Sequence, residues 1–287
     1  FFIKQSFNRG VYCETNIDLF EIVKHNFKQL DCKVDIFNRS GIELLTDKVE
    51  KFDLIYIDPS RRNKDKKRVF KLEDYSPNIA EHVDLFLEKS DKILIKTAPF
   101  LDISQVMKSL PHLSDVHVIS INNDCKEVLY LVDKNIKQET QVHCIDLAKE
   151  TSFSFQYSQE QTRSSLSEPL NFLYEPNTSI LKAGAFNSIA TFHKVSKLHP
   201  NSHLYTSKEL ITNFHGRKFK VIGICKPNKK EVSKFIDNGK ANISRRNFPL
   251  STEEIRKKLK LKDGGNHYLF ATTLANDKKV IIVTEKC

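Results

Sequence analysis

The feature that most constrains this chain is a series of apolar runs that stop on a polar residue, each followed by helical spacing. Residues 10–13 stop on Glu14, residues 34–37 on Asn38-Arg39-Ser40-Gly41, and residues 52–57 (Phe-Asp-Leu-Ile-Tyr-Ile) on Asp58-Pro59. After the first run, Leu19, Phe20, Ile22, Val23, Phe27 and Leu30 recur at helical intervals, and Thr15 with Asp18 makes a candidate capping box. Residues 41–45 read as a short helix. The alternation continues with a helix at 79–87, a strand at 93–95, a helix at 103–110 and a strand at 116–119. Another strand, 128–132, follows after only a short turn. Parallel strands need long crossovers and antiparallel ones do not. The pattern predicts a mostly parallel α/β sheet closed by an antiparallel hairpin.

Beyond residue 135 the pattern weakens. Residues 141–145 and 153–155 are candidate strands, and 159–169 reads as a polar linker. From Asn171 an α+β pattern takes over. It predicts a helix over 177–195, a turn at His199-Pro200-Asn201, and a capping box Thr206-x-x-Glu209 before a short helix that Gly216 ends. A strand at 219–224, a helix at 229–236 and a capping box Ser251-x-x-Glu254 heading a basic helix at 255–261 come next. Residues 268–274 and 280–283 form a hairpin around Asn276-Asp277.

Charge divides the chain in the same way. Residues 1–135 hold 21 Lys+Arg against 22 Asp+Glu, 136–170 hold 3 against 5, and 171–287 hold 22 against 9. The net +10 thus resides in the last stretch, which favours an acidic partner such as nucleic acid or an anionic surface. The hydrophobic fraction of 39% excludes a disordered chain. No apolar run approaches the ~20 residues that span a bilayer, so no membrane partner is expected. Six Cys without a C-x-x-C pair argue against a disulfide or zinc scaffold, and free thiols fit a cytoplasmic protein. His199-x-x-x-His203 has metal-like spacing, but Pro200 and Asn201 read as a turn, so no metal ligands are assigned. The chain opens Phe1-Phe2-Ile3 and its one Met is Met107, which suggests the C-terminal part of a longer protein.

In open parallel sheets, ligands bind at the carboxyl ends of the strands. There Glu14 suits the hydroxyls of a ribose, Ser40 and its neighbours suit an adenine, and Asp58 suits an amino group or its proton. Pro59 stiffens the backbone beside Asp58. Residues 61–71 then hold seven basic residues and one acid, which is either a solvated loop or an RNA-contacting one. Arg245, Arg246, Arg256 and Lys257 belong to a second basic cluster, with a nucleic-acid footprint as one reading and a solvated helical face as the other.

The strings VYCE, SGIELL and FDLIYIDPSRR resemble the middle of a class I S-adenosylmethionine-dependent methyltransferase, and INNDCKEVLYLV resembles its closing hairpin. The strings YEPNTSILKAGAF, KLHPNSHLYTS and NFPLSTEEIRKKLKLKDGGNHYLFATT resemble the THUMP-like domain attached to some bacterial methyltransferases. The resemblance implies a Rossmann-like methyltransferase domain over 1–135, a small ferredoxin-like module or linker over 136–170, and an α+β THUMP-like domain over 171–287. It implies S-adenosylmethionine as cofactor, with Glu14 on its ribose and Ser40 where many members carry an adenine-contacting Asp. Asp58-Pro59-Ser60-Arg61 matches the catalytic Asp/Asn-Pro-Pro-aromatic tetrapeptide of amino-methylating members. Here Ser60 replaces the second Pro and Arg61 the aromatic residue, although an Arg also stacks on a base or holds a phosphate. Asp-Pro-x-Arg is similar to RNA uridine C5 methyltransferases too, which need a nucleophilic Cys, and Cys125 is the nearest. The glycine-rich cofactor loop of the family is expected just before Phe1.

These readings converge on an RNA methyltransferase acting on a base amino group of tRNA or rRNA. Asp58, Pro59 and Arg61 are the catalytic candidates, with Glu14, Ser40 and Asp58 holding the cofactor. Arg61, Arg62, Lys64, Lys66, Lys67, Arg68, Arg245, Arg246, Arg256 and Lys257 are the candidate RNA contacts. A non-catalytic RNA-binding protein on a degenerate methyltransferase scaffold and a DNA amino-methyltransferase are the alternatives.

Overall fold

The computed structural model describes residues 6–61 and 72–287. It has two compact units, Phe1–Leu113 with Tyr130–Lys137, and Ser114–Leu129 with Gln138–Cys287.

The first unit begins with β1 (Gly10–Cys13), α1 (Ile17–Gln29) and β2 (Val34–Phe37), with β2 parallel to β1. The cap of α1 is Asn16, not the expected Thr15 pair. Its side-chain oxygen accepts the amides of Asp18 and Leu19 at 2.9 and 3.2 Å, because it stands at the first position from which an acceptor reaches both. No residue of α1 is buried, and Ile17, Leu19 and Ile22 are about half exposed, so its apolar spacing marks the helix without marking a core.

Helix α2 (Gly41–Asp47) buries Leu44 and Leu45. Strand β3 (Ile55–Ile57) is shorter than the expected 52–57, since Phe52 makes only an isolated bridge to Ser90. The antiparallel pair β4 (Ser60–Arg61) and β5 (Tyr75–Ser76) follows. Helix α3 (Ile79–Lys89) buries Ile79, Val83, Phe86 and Leu87, one stripe at helical spacing. It leads to β6 (Lys92–Thr97), which runs parallel to β3 with Ile57 opposite Ile95. Helix α4 (Ile103–Ser109) is capped by Asp102.

Strands β7 (Leu113–Ile121) and β8 (Asp124–Asp133) turn at Asn122-Asn123, both at positive φ, as a tight hairpin requires. The last residues of β8 lie beside β6 in the first unit. In the second unit β7 pairs in parallel with β9 (Gln141–Asp146), and β10 (Thr151–Gln156) pairs antiparallel to β9. The candidate strands at 141–145 and 153–155 of the weakly patterned stretch are thus both formed.

The rest of the second unit comprises β11 (Phe172–Pro176), α5 (Thr178–Ala183), α6 (Ser188–His193), β12 (Ser196–Lys197), β13 (Tyr205–Ser207), β14 (Gly216–Cys225), α7 (Lys229–Val232), β15 (Asn242–Arg246), α8 (Thr252–Leu259), β16 (His267–Thr273) and β17 (Lys279–Lys286). Two expectations fail here. The helix expected over 177–195 is two short ones, because Gly184 takes φ +73° and caps α5. No helix starts at Thr206, which lies in β13. Its hydroxyl accepts the Leu170 amide and donates to the Phe172 carbonyl across the sheet. The Ser251–Glu254 capping box forms as expected, with both bonds present.

The sheet order is β12-β13-β11-β14-β17-β16-β15. Its central strands are buried on both faces. Ile281 and Val283 pack with Ile255 and Leu259 of α8, while Val280 and Ile282 pack with Phe219 and Phe270. Strands β11 and β15 stand four places apart in this order. A flat sheet would hold them roughly 19 Å apart, at ~4.8 Å per strand. Arg246 of β15 nevertheless reaches Glu175 of β11 at 2.9 Å, so the sheet curls. Among the described residues no helix is long and apolar enough to cross a membrane.

Two histidines in this unit are kept neutral. Burial, then the adjacent His215, lowers His193 to about 4. Burial, then Lys197 and Arg246, lowers His203 to about 4. The unfolded chain, with histidines near 6.5, binds more protons than the folded one between these values. Stability is therefore fully present above about pH 6.5 and is lost as pH falls toward 4, at up to ~1.4 kcal/mol per pH unit for each histidine. Urea unfolding at pH 7.5, 6 and 5 will show this decline, and His203→Gln will make it shallower by leaving only the His193 part.

Candidate cofactor and substrate site

Glu14, Ser40 and Asp58 all follow strands of the first unit at their C-terminal ends. Glu14 extends β1: its amide donates to the Phe37 carbonyl at 3.1 Å, and Asn38 Nδ2 donates to the Glu14 carbonyl at 2.7 Å. The ends of β1 and β2 are tied together in this way. The Glu14 carboxylate accepts the Asn16 amide at 2.8 Å. The Tyr12 phenol is raised above its ordinary value by burial first, then by the Glu14 charge and a hydrogen bond to it. The acid is thus held by two donors and sits at the end of β1 with one face to solvent, which suits an acceptor for vicinal hydroxyls.

Ser40 is the N-cap of α2, and its Oγ accepts the Ile42 amide at 3.2 Å. Its hydroxyl is fixed by that bond and keeps its own proton to donate. The neighbouring Arg39 is held by Asp47 at 2.6 Å.

Asp58 follows β3. Ile57 and Pro59 are buried and Asp58 between them is exposed, as strand alternation demands. Its Oδ2 is 2.7 Å from Lys96 Nζ, and the two side chains are 53% and 31% exposed. The register that sets Ile57 opposite Ile95 places these next residues side by side. Lys96 is a residue that sequence reasoning missed. Its one signal is a charge ending the apolar run Ile93-Leu94-Ile95, and only the pairing of β3 with β6 gives that charge a partner. Among the described residues no hydrogen bond or ion pair joins Asp58 to Glu14 or Ser40, so each group is fixed independently at its own strand end.

Of Arg61 the backbone is placed, paired with Tyr75. Arg62, Lys64, Lys66, Lys67 and Arg68 lie outside the described residues. In the second unit Arg245 and Lys257 are exposed. Arg246 and Arg256 are committed to acids. Arg246 shares the buried carboxylate of Glu175 with Arg217, and Arg256 pairs with Asp263 at 2.6 Å. Burial pushes the Cys125 thiol up to about 11, so it supplies almost no thiolate near neutral pH. A uridine C5 mechanism needs a thiolate nucleophile, which this burial disfavours. His199 accepts the Asn201 amide within a turn, as its Pro-Asn sequence implies.

A ferredoxin-like domain model matches residues 172–214, and a THUMP domain-like model matches residues 216–286. The ferredoxin-like stretch lies inside the region read as THUMP-like from the sequence, not within 136–170. No curated protein matches the chain. The crystal structure of a "putative methyltransferase" from Porphyromonas gingivalis W83 superposes with a TM-score of 0.86, covering 99% of this chain and 73% of that one at 32% sequence identity. With that identity over nearly its whole length, this chain belongs to the same family as the Porphyromonas gingivalis protein, and it carries a ferredoxin-like and a THUMP domain-like module.

Proposed function

We propose that the protein is a cytoplasmic S-adenosylmethionine-dependent methyltransferase that acts on a base amino group of tRNA or rRNA. The observation that carries this reading is Asp58-Pro59 at the end of β3, with Asp58 exposed and fixed by Lys96, in a relative of a methyltransferase-like protein. When bound, S-adenosylmethionine supplies the electrophilic methyl group. Glu14 is the residue to hold its ribose, with Ser40 beside the adenine. Lys96 pairs with Oδ2 of Asp58 and fixes the carboxylate in place. Oδ1 is the atom to accept an amino N–H, orient the nitrogen lone pair and take the proton it sheds. Positioning of this kind is most of what a protein contributes when the cofactor carries the reactive group.

The basic C-terminal region supports RNA as the substrate. Residues 171–287 hold 22 basic against 9 acidic residues, and a THUMP domain-like module occupies most of that stretch. Exposed Arg245 and Lys257 are the direct phosphate ligands in this reading. Arg246 and Arg256, each already paired, shape the surface that presents them. Arg61 and the basic residues 62–68 follow Asp58-Pro59 directly and are placed in sequence to flank the reacting base.

Transfer of a labelled methyl group to total RNA is the test, with DNA as the parallel substrate. Asp58→Ala will lower transfer to RNA by about 10²-fold or more, the usual contribution of a positioned acid–base group. RNA binding and the urea midpoint will stay unchanged, since the side chain is half exposed. Transfer that survives the substitution refutes the role of Asp58. Transfer to DNA alone favours the DNA alternative, and RNA binding with no transfer favours the non-catalytic one. Separately, Arg245→Ala with Lys257→Ala will make the dependence of log affinity on log salt shallower, by roughly 0.7–0.9 in slope for each phosphate no longer neutralised, read by fluorescence anisotropy on RNA.

A further inference from the structure

Strands β7 and β9 bring together three side chains that no part of the proposed methyl transfer uses. Asp115 and His117 are two residues apart on β7, alternating with the fully buried Val116 and Val118. His143 on β9 stands opposite His117 in the parallel register, between the buried Val142 and Cys144. The alternation puts Asp115, His117 and His143 on the same face of the sheet, all half-buried. One ligand-type atom from each lies within 4.8 Å of the others. Asp115 Oδ1 is 3.0 Å from His143 Nε2, and the two imidazoles stack at 4.7 Å with 16° between their planes.

A hydrogen bond explains Asp115 with His143, but it leaves His117 stacked on the outside of that pair. Three converging atoms of the set N, N, O are what a divalent transition ion of the zinc or iron(II) class selects. Bonds near 2.0–2.2 Å set neighbouring ligand atoms about 3–3.5 Å apart, so small side-chain rotations close the set. The partial exposure of all three leaves room for water to complete the coordination.

An outer partner is also in place. Ser154 on β10 stands opposite His143, and its Oγ is 2.8 Å from His143 Nδ1. Metal-bound imidazoles are commonly oriented by such a bond at the other ring nitrogen. Without metal, the neutral ring with its proton on Nε2 satisfies both contacts, donating to Asp115 and accepting from Ser154 at Nδ1. With metal on Nε2, the proton sits on Nδ1 and is donated to Ser154 Oγ. The ring changes tautomer and keeps its single proton, and the serine hydroxyl serves both states.

We infer that Asp115, His117 and His143 form a binding site for a divalent transition-metal ion, oriented by Ser154. Local spacing in the sequence does not reveal these ligands, because Asp115 and His143 lie on different strands and meet only through the register of β7 with β9. The test is cobalt(II) titration of the chelator-treated full chain. A saturable visible d–d spectrum at one ion per chain, displaced by zinc(II), is expected. His117→Ala and Asp115→Asn will abolish it, and Ser154→Ala will weaken affinity about 10–100-fold at unchanged stoichiometry. His117→Cys, which restores a ligand atom, will recover binding and add a thiolate charge-transfer band. In nitrogen-15 spectra His143 will switch tautomer as zinc is added. Absence of a d–d spectrum in the parent chain, or a spectrum unchanged in His117→Ala, overturns the site. So does a thiolate band in the parent chain, which would assign the ion to its cysteines.

Discussion

The parallel register of β3 and β6 is the constraint on which the candidate site depends. Ile57 opposite Ile95 is a core contact between buried residues, and it fixes what comes next on each strand. A shift of one residue would turn Asp58 inward and separate it from Lys96. The apolar core thus sets the position of the charged pair Asp58–Lys96 at the end of β3. The pair itself is partly solvated, so its contribution to stability is small, about 0–1 kcal/mol. Its consequence is geometric: one carboxylate oxygen of Asp58 is held by Lys96.

The second unit follows a different rule. Its central strands are covered on both faces, so β16 and β17 read as nearly continuous apolar runs and not as alternating ones. The buried carboxylate of Glu175 is satisfied by Arg217 from the adjacent β14 and by Arg246, which curling brings in from the distant β15. Removing one partner from a buried pair of this kind is costly, because the remaining charge is left without compensation. Two of the basic residues in this region therefore belong to the fold, and the remaining surface charge is what an acidic partner meets.

The parts of this architecture legible in the sequence are those that local pattern controls. Strand ends at Glu14, Asn38 and Asp58, the short turn before the strand at 128–132 and the Ser251–Glu254 capping box are all short-range features. The less legible parts depend on which strands become neighbours. Lys96 acquires meaning only beside Asp58, and His143 only beside His117. Thr206 has the spacing of a helix cap but is used as a cross-strand hydrogen-bonding group in β13. Gly184 interrupts a helical pattern that its flanking residues continue, because its left-handed conformation ends α5. Apolar spacing in α1 predicted the helix correctly yet did not report burial.

Cofactor recognition at the end of β1 is the claim on which the proposed chemistry rests. Calorimetric titration of the protein with S-adenosylmethionine is the decisive measurement. Saturable binding of one molecule per chain is expected, weakened about tenfold to a hundredfold by Glu14→Gln, the loss expected for hydrogen bonds to a charged acceptor. No binding, or equal affinity in Glu14→Gln, would contradict it.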